Sequence, residues 1–148
     1  MIRAVLVIFL FFPPSVLSGD TAAAPVFSYG KLSNSCGPVD KPIVLLRLTT
    51  RRVSCNAKLD APDIAVQISH LLVVPTTVTV HEPTREAPYG DSANRCLINS
   101  ACDQAISGTV VLERARNGII GHYDLKFKDG DATGTFHVEW CHQHVTCW

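Results

Sequence analysis

From Gly108 to Cys141 apolar and polar side chains alternate in three runs, separated by Asn117-Gly118 and Asp129-Gly130. Alternation with a period of two predicts strands that bury one face. Asn-Gly and Asp-Gly tolerate positive φ at both centres of a two-residue type I′ turn, so they predict two tight hairpins. With those dipeptides as the whole of each turn, Leu112 stands opposite Tyr123, Val110 opposite Leu125, and Tyr123 opposite Phe136. Val110, Leu112, Tyr123, Leu125, Phe127, Phe136, Val138 and Trp140 then share a core face. Glu113, His122, Asp124, Lys126, Thr135, His137 and Glu139 share the other. The prediction is a half-buried antiparallel meander.

The same periodicity upstream marks strands at 43–49, with Val44, Leu46 and Leu48 on one face and Arg47 on the other, at Ile64, Val66 and Ile68, and at 77–81 with Val78 and Val80 inward. Leu71 to Val74 either extends the second of these or begins another, and Pro75 belongs at a strand boundary. Residues 25–40 are polar and punctuated by Gly30, Gly37 and Pro38, which predicts a lead-in loop. Residues 51–63 sustain no period and end on Asp60-Ala61-Pro62-Asp63, a turn signal. Residues 82–104 hold two prolines, a glycine and several Asp, Asn and Ser residues, and predict a long loop. Loops beyond about 12–15 residues in a compact domain are often functional, so this one is the first place to look for a binding site. The fold class predicted is all-β: one small β-sandwich or partly open barrel of six to eight antiparallel strands, stabilised by disulfides and ending in the three-stranded meander.

Residues 1–24 change the picture at the N-terminus. Arg3 precedes an unbroken apolar run from Ala4 to Phe12, and Ala22-Ala23-Ala24 supplies small residues for cleavage, with Ser18 or Gly19 as a rival point. This is the pattern of a secretory signal peptide. The run is much shorter than the ~20 residues that span a bilayer, and Pro13-Pro14 interrupts it, so no stable membrane insertion is expected once the signal is removed. Residues 25–148 then form a single domain, secreted or held in a periplasm or cell envelope.

The chain has 13 bases and 13 acids, and loss of Arg3 and Asp20 with the signal leaves the balance at zero. That balance gives no electrostatic basis for a nucleic-acid partner. All six cysteines, Cys36, Cys55, Cys96, Cys102, Cys141 and Cys147, lie after the signal, and an exported chain meets an oxidising compartment. Three disulfides are expected, and sequence order suggests Cys36 with Cys55, Cys96 with Cys102, and Cys141 with Cys147. Trp140 is placed to pack against the last of these bridges.

The pattern G-x-Y-x-L-x-F-x-D-G from Gly121 to Gly130, followed by G-x-F-x-x-x-W-C from Gly134 to Cys141, resembles the C-terminal end of small exported bacterial cysteine-containing β-sandwich and lipoprotein-like proteins of unassigned function. The resemblance implies a β fold and a bacterial envelope or extracellular setting, and it transfers no catalytic residue.

Candidate chemistry concentrates near the C-terminus, where His122, His137, His142 and His144 fall. In the predicted register Glu113, His122 and His137 sit side by side on three strands about 4.8 Å apart, a spacing that lets two imidazoles and a carboxylate converge on zinc, copper or nickel. Asp124 and Glu139 are the only acid/base pair on that face to weigh, and no nucleophile elbow, H-E-x-x-H or Gly-rich phosphate loop occurs. The sequence therefore favours a non-enzymatic binding or cell-envelope surface module with a macromolecular partner. The alternatives are a metal-binding protein using Glu113, His122 and His137, and an inhibitor of a secreted hydrolase presenting the loop between Cys96 and Cys102.

Overall fold

The computed structural model describes residues 25–37, 40–60, 62–70, 72–86, 88–98, 100–142 and 145–147. Residues 1–24, where a signal peptide is expected from the sequence, and His144 lie outside the described residues. Eight strands follow one another: β1 (Tyr29–Cys36), β2 (Pro42–Thr49), β3 (Asp63–Ile68), β4 (Thr76–His81), β5 (Ser92–Cys96), β6 (Cys102–Ala115), β7 (Gly118–Phe127) and β8 (Gly130–Cys141). Seven of them close a barrel in the order β6-β5-β3-β2-β1-β8-β7, with β7 returning to β6. The eighth, β4, lies on β6 in line with β5, pairing Thr76–His81 with residues 107–112. Neighbours run antiparallel except β1 and β8, which are parallel. An odd number of strands that otherwise alternate in direction can close only through one such pair.

The barrel is filled by side chains, as expected at this strand number. Leu32, Leu46, Leu48, Ile64, Val66, Val110, Leu112 and Leu125 are wholly buried, and Phe27, Tyr123, Phe136 and Val138 nearly so. The inward sets predicted for β2, β3, β4 and the meander are the observed ones. At ~25 cal/mol per Å² this burial is the main stabilising contribution.

The meander keeps its predicted faces but not its predicted register. Ala115 pairs with Gly118 and Phe127 with Gly130, so Arg116-Asn117 and Lys128-Asp129 form the turns. Positive φ falls only on the glycine after each turn, 112° at Gly118 and 118° at Gly130, whereas a type I′ turn needs it at both centres. Each register moves by two residues, which leaves every side chain on its face. Tyr123 therefore stands opposite Gly134, and Phe136 opposite Gly121. A Cβ on Gly134 would lie 2.7 Å from the Tyr123 hydroxyl, and one on Gly121 2.7 Å from the Phe136 ring. Each large ring thus has the space over a glycine, and the two rings stack at 6.4 Å between centroids.

Two predicted loops contain strands. Residues 29–36 form β1, in which Leu32 is the one large side chain that is fully buried; backbone pairing to β2 on one side and β8 on the other holds it. The 82–104 segment contains β5 and the first residues of β6, joined by a short loop. Its inward positions are Ala93 and Arg95, so no apolar alternation announces it.

The disulfides are Cys36–Cys147, Cys55–Cys141 and Cys96–Cys102. The third is the predicted pair, and the other two correct the expectation of pairing in sequence order. Parallel β1 and β8 end at the same end of the barrel, so Cys36 meets the tail beyond β8. The segment Cys55–Ala57 lies against the outside of this seam, where Lys31 Nζ donates to the carbonyls of Cys55 and Ala57, each at 2.9 Å, and Cys55 bridges to Cys141. Trp140 packs against the core and stacks on His142 at 5.8 Å.

Candidate functional site

The outer face of the meander carries the predicted metal ligands in a different arrangement. Glu113 stands opposite Ile120, and Ile120 opposite His137. His122 lies one step along the same face, opposite Val111 and Thr135. An exposed isoleucine thus occupies the place between Glu113 and His137 that the predicted register gave to His122. His137 turns its Nε2 to within 2.6 Å of the Asn117 carbonyl oxygen. An Nε2–H that donates there has no lone pair for a cation. Among the described residues no three His, Cys, Asp or Glu side chains group as a metal site. Asp124 and Glu139 are also apart: Asp124 faces Thr133, roughly 20 Å along β8 from Glu139 by strand rise.

One other cluster brings serine, histidine and aspartate together. Asp91 Oδ1 accepts from both the backbone N–H and the hydroxyl of Ser69, each at 2.7 Å, while Oδ2 lies 3.5 Å from His70 Nδ1. The carboxylate stands between the serine and the histidine. The hydroxyl proton is directed to Asp91, and the arrangement ties the end of β3 to the approach to β5 rather than activating a nucleophile.

The third region lies at the barrel end formed by the β5–β6 and β7–β8 connections. Arg95 stands opposite Ile64 on β3 and Asp103 on β6, so strand alternation turns it inward. Its guanidinium lies 4.3 Å from the centroid of the Phe127 ring, and Nη2 donates to Asp103 Oδ2 at 3.2 Å. The Arg95 side chain is 11% exposed and that of Asp103 33%, and Arg95 Nε is buried with no acceptor among the described residues. An arginine can carry charge into such a place because its planar face stacks on an aromatic ring while one edge pairs with a carboxylate.

Around this pair is a cavity of about 500 Å³. Leu97, Ser100, Ala101 and Asp103 from the β5–β6 hairpin form one wall, Asp129, Asp131, Ala132 and Thr133 from the β7–β8 hairpin another, and Pro25, Val26 and Phe27 the third. The Cys96–Cys102 bridge joins directly opposed residues and holds the first wall. Tyr123 holds the third: its hydroxyl accepts from Phe27 N–H at 3.3 Å. Burial raises the Tyr123 pKa above 10, with the bond from Phe27 acting in the opposite direction, so the phenol is neutral and keeps its proton. Ordinary small-molecule pockets are of this size and lie in barrel mouths. The cavity sits under the segment singled out from its loop-like composition, whereas Arg95 itself went unnoticed. The charged side chain at Arg95 breaks any apolar alternation between Ala93 and Leu97, so no sequence signal marked it as inward.

No protein-family model, curated protein or solved structure matches this chain.

Proposed function

We propose that the chain is an exported, non-catalytic binding protein whose ligand-bearing group enters the barrel-end cavity. The observation that carries this reading is the cavity itself, apolar on most of its wall, with an inward arginine and three carboxylates around it. Three disulfides fit an oxidising compartment, and no described helix is long and apolar enough to cross a membrane. Amide chemical-shift mapping with a library of small charged and apolar fragments tests the reading. Shifts clustered on Leu97, Ala101 and Ala132 are expected. Shifts confined to the outer face, or none at all, would count against it.

Ile98 favours a second reading, inhibition of a secreted hydrolase. It is 63% exposed in the segment closed by Cys96–Cys102, which presents an apolar side chain to solvent. Assay of the protein against secreted hydrolases, with Ile98→Ala as control, tests it; equal behaviour of the two proteins would remove Ile98 from any inhibitory role.

A further inference from the structure

Strand β4 ends the sheet and pairs only with β6. Successive N–H groups along a strand point to opposite sides, so two bonds at the C-terminal end of β4 orient all of them. Glu82 N–H donates to the Ile106 carbonyl on β6, and His81 N–H donates away from β6, to the Asp91 carbonyl. Val80, Val78 and Thr76 therefore direct their backbone groups to β6, and Thr79 and Thr77 direct theirs outward. Among the described residues nothing bonds those outward groups of Thr77 and Thr79. Pro75, which has no N–H, bounds the open stretch at one end, and the bond from His81 to Asp91 bounds it at the other. Residues 76–80 are threonine and valine only, without the charge, proline or bulge by which an edge strand usually resists further pairing.

From this open edge we infer that β4 pairs antiparallel with β4 of a second copy of the chain, across a twofold axis at Val78. The inference is independent of the cavity and goes beyond the binding role proposed for it. The edge is its own complement. The open stretch is centred on Val78, and an axis there sets Thr77 opposite Thr79 of the second copy, and Thr79 opposite Thr77 of that copy. Each pair exchanges two N–H···O bonds, so four backbone bonds form and the outward groups of both threonines are satisfied. Thr77 and Thr79 expose their side chains on the outer face, where cross-strand threonine pairs are favourable neighbours, while Val78 and Val80 stay buried in their own core. Charge does not oppose the pairing: the chain has 13 bases and 13 acids, and loss of Arg3 and Asp20 would keep the balance, so two copies meet without net repulsion. A charged partner strand would find no counter-charge on 76–80. Each copy offers one such edge, so association stops at two.

Sedimentation equilibrium of the exported protein from about 10 μM to about 1 mM tests the pairing, with amide hydrogen exchange measured at both ends of that range. Five paired residues bury less than the ~1,200 Å² of a stable complex, so a dimer with a dissociation constant on the order of 100 μM is expected. By mass action the Thr77 and Thr79 amides should then exchange about fourfold more slowly at the higher concentration, whereas that of Val78, already bonded to β6, should not change. Thr79→Pro removes an N–H that makes no bond within the chain and sets a ring where the second copy would lie; Thr79→Lys places a charge beside the axis in both copies. Each variant should remain a monomer at the higher concentration, with the amide spectrum reporting an intact fold, and Thr79→Lys decides the matter if proline disturbs β4. A wild-type protein that stays monomeric, a species larger than a dimer, a dimer that survives Thr79→Lys, or protection gained elsewhere than at Thr77 and Thr79 would each overturn the inference.

Discussion

The barrel end around Arg95 and the outer face around Ile120 are built partly from the same three strands, and both gather ionisable side chains, yet they differ in what surrounds them. On the outer face Glu113, His122 and His137 project from a depression of about 480 Å³ whose floor is a flat sheet, and each is exposed. Water screens them, and nothing fixes their rotamers toward a common point. At the barrel end three separate chain segments surround Arg95, whose side chain is 11% exposed, so its ion pair with Asp103 and its contact with Phe127 are less screened than charges on the open face. The same residue types do different things according to enclosure: charge on an open sheet is solvated, whereas charge inside a barrel must be matched.

The largest test of this contrast concerns what holds each region. Cys55–Cys141 closes a sequence separation of 86, and Cys96–Cys102 one of 6. In the loop-entropy account, replacing Cys55 and Cys141 with serine costs about 4–5 kcal/mol, against about 2 for Cys96 and Cys102. Guanidinium denaturation of the two double variants should reproduce that order. The short bridge should matter to the cavity instead, its loss broadening the amide signals of residues 97–101. Equal stabilities would mean that the local bridge, too, supports the whole barrel.

Next in size is Arg95→Ala, which removes both the ion pair and the packing on Phe127 and should cost about 2–3 kcal/mol in urea unfolding; Asp103 is partly exposed and regains water, so the upper range for a buried pair is not reached. Arg95→Met restores the packing and should recover part of the loss. Neither outer-face change, His122→Ala or His137→Ala, should move stability by more than about 0.5 kcal/mol. A loss at His137 comparable with that at Arg95 would erase the distinction between the regions.

Alkaline pH supplies a smaller test. The folded chain holds the Tyr123 proton more tightly than the unfolded chain, whose tyrosines ionise near 10. Stability is therefore full below pH 10 and falls as the pH rises from there through the folded value, because the unfolded state releases the proton first. The melting temperature of Tyr123→Phe should be lower at neutral pH, where Phe27 N–H loses its acceptor, but should decline less between pH 10 and 11. Identical slopes would show that Tyr123 does not govern the alkaline limb. Smallest of all is chelation: EDTA should leave the melting temperature unchanged, and a stoichiometric metal lost on His122→Ala would revive the reading of the outer face as a metal site.

The meander and β2 to β4 were legible because their side chains alternate, and alternation reports a buried face wherever one exists. Strands β1 and β5 were hidden because they owe their place to neighbours. The inward side chains of β5 are Ala93 and Arg95, and Leu32 alone supplies a large, fully buried side chain in β1. The candidate site was half visible: composition pointed to the 82–104 segment, but an arginine between polar neighbours carries no mark that it faces inward.

The sequence by itself determined the all-β class, the inward residues of most strands, the turn positions to within two residues and the local bridge Cys96–Cys102. These depend on interactions between residues close along the chain or on a periodicity that every strand of this kind shares. Only the tertiary structure decided the parallel closure of β1 on β8, the two long-range disulfides, the exact opposition of ring and glycine across β7 and β8, and the enclosure of Arg95. Each of those depends on which distant segments become neighbours. That choice is made when the sheet closes on itself, by space and by the pairing of backbone groups, and a pattern read along one strand contains neither.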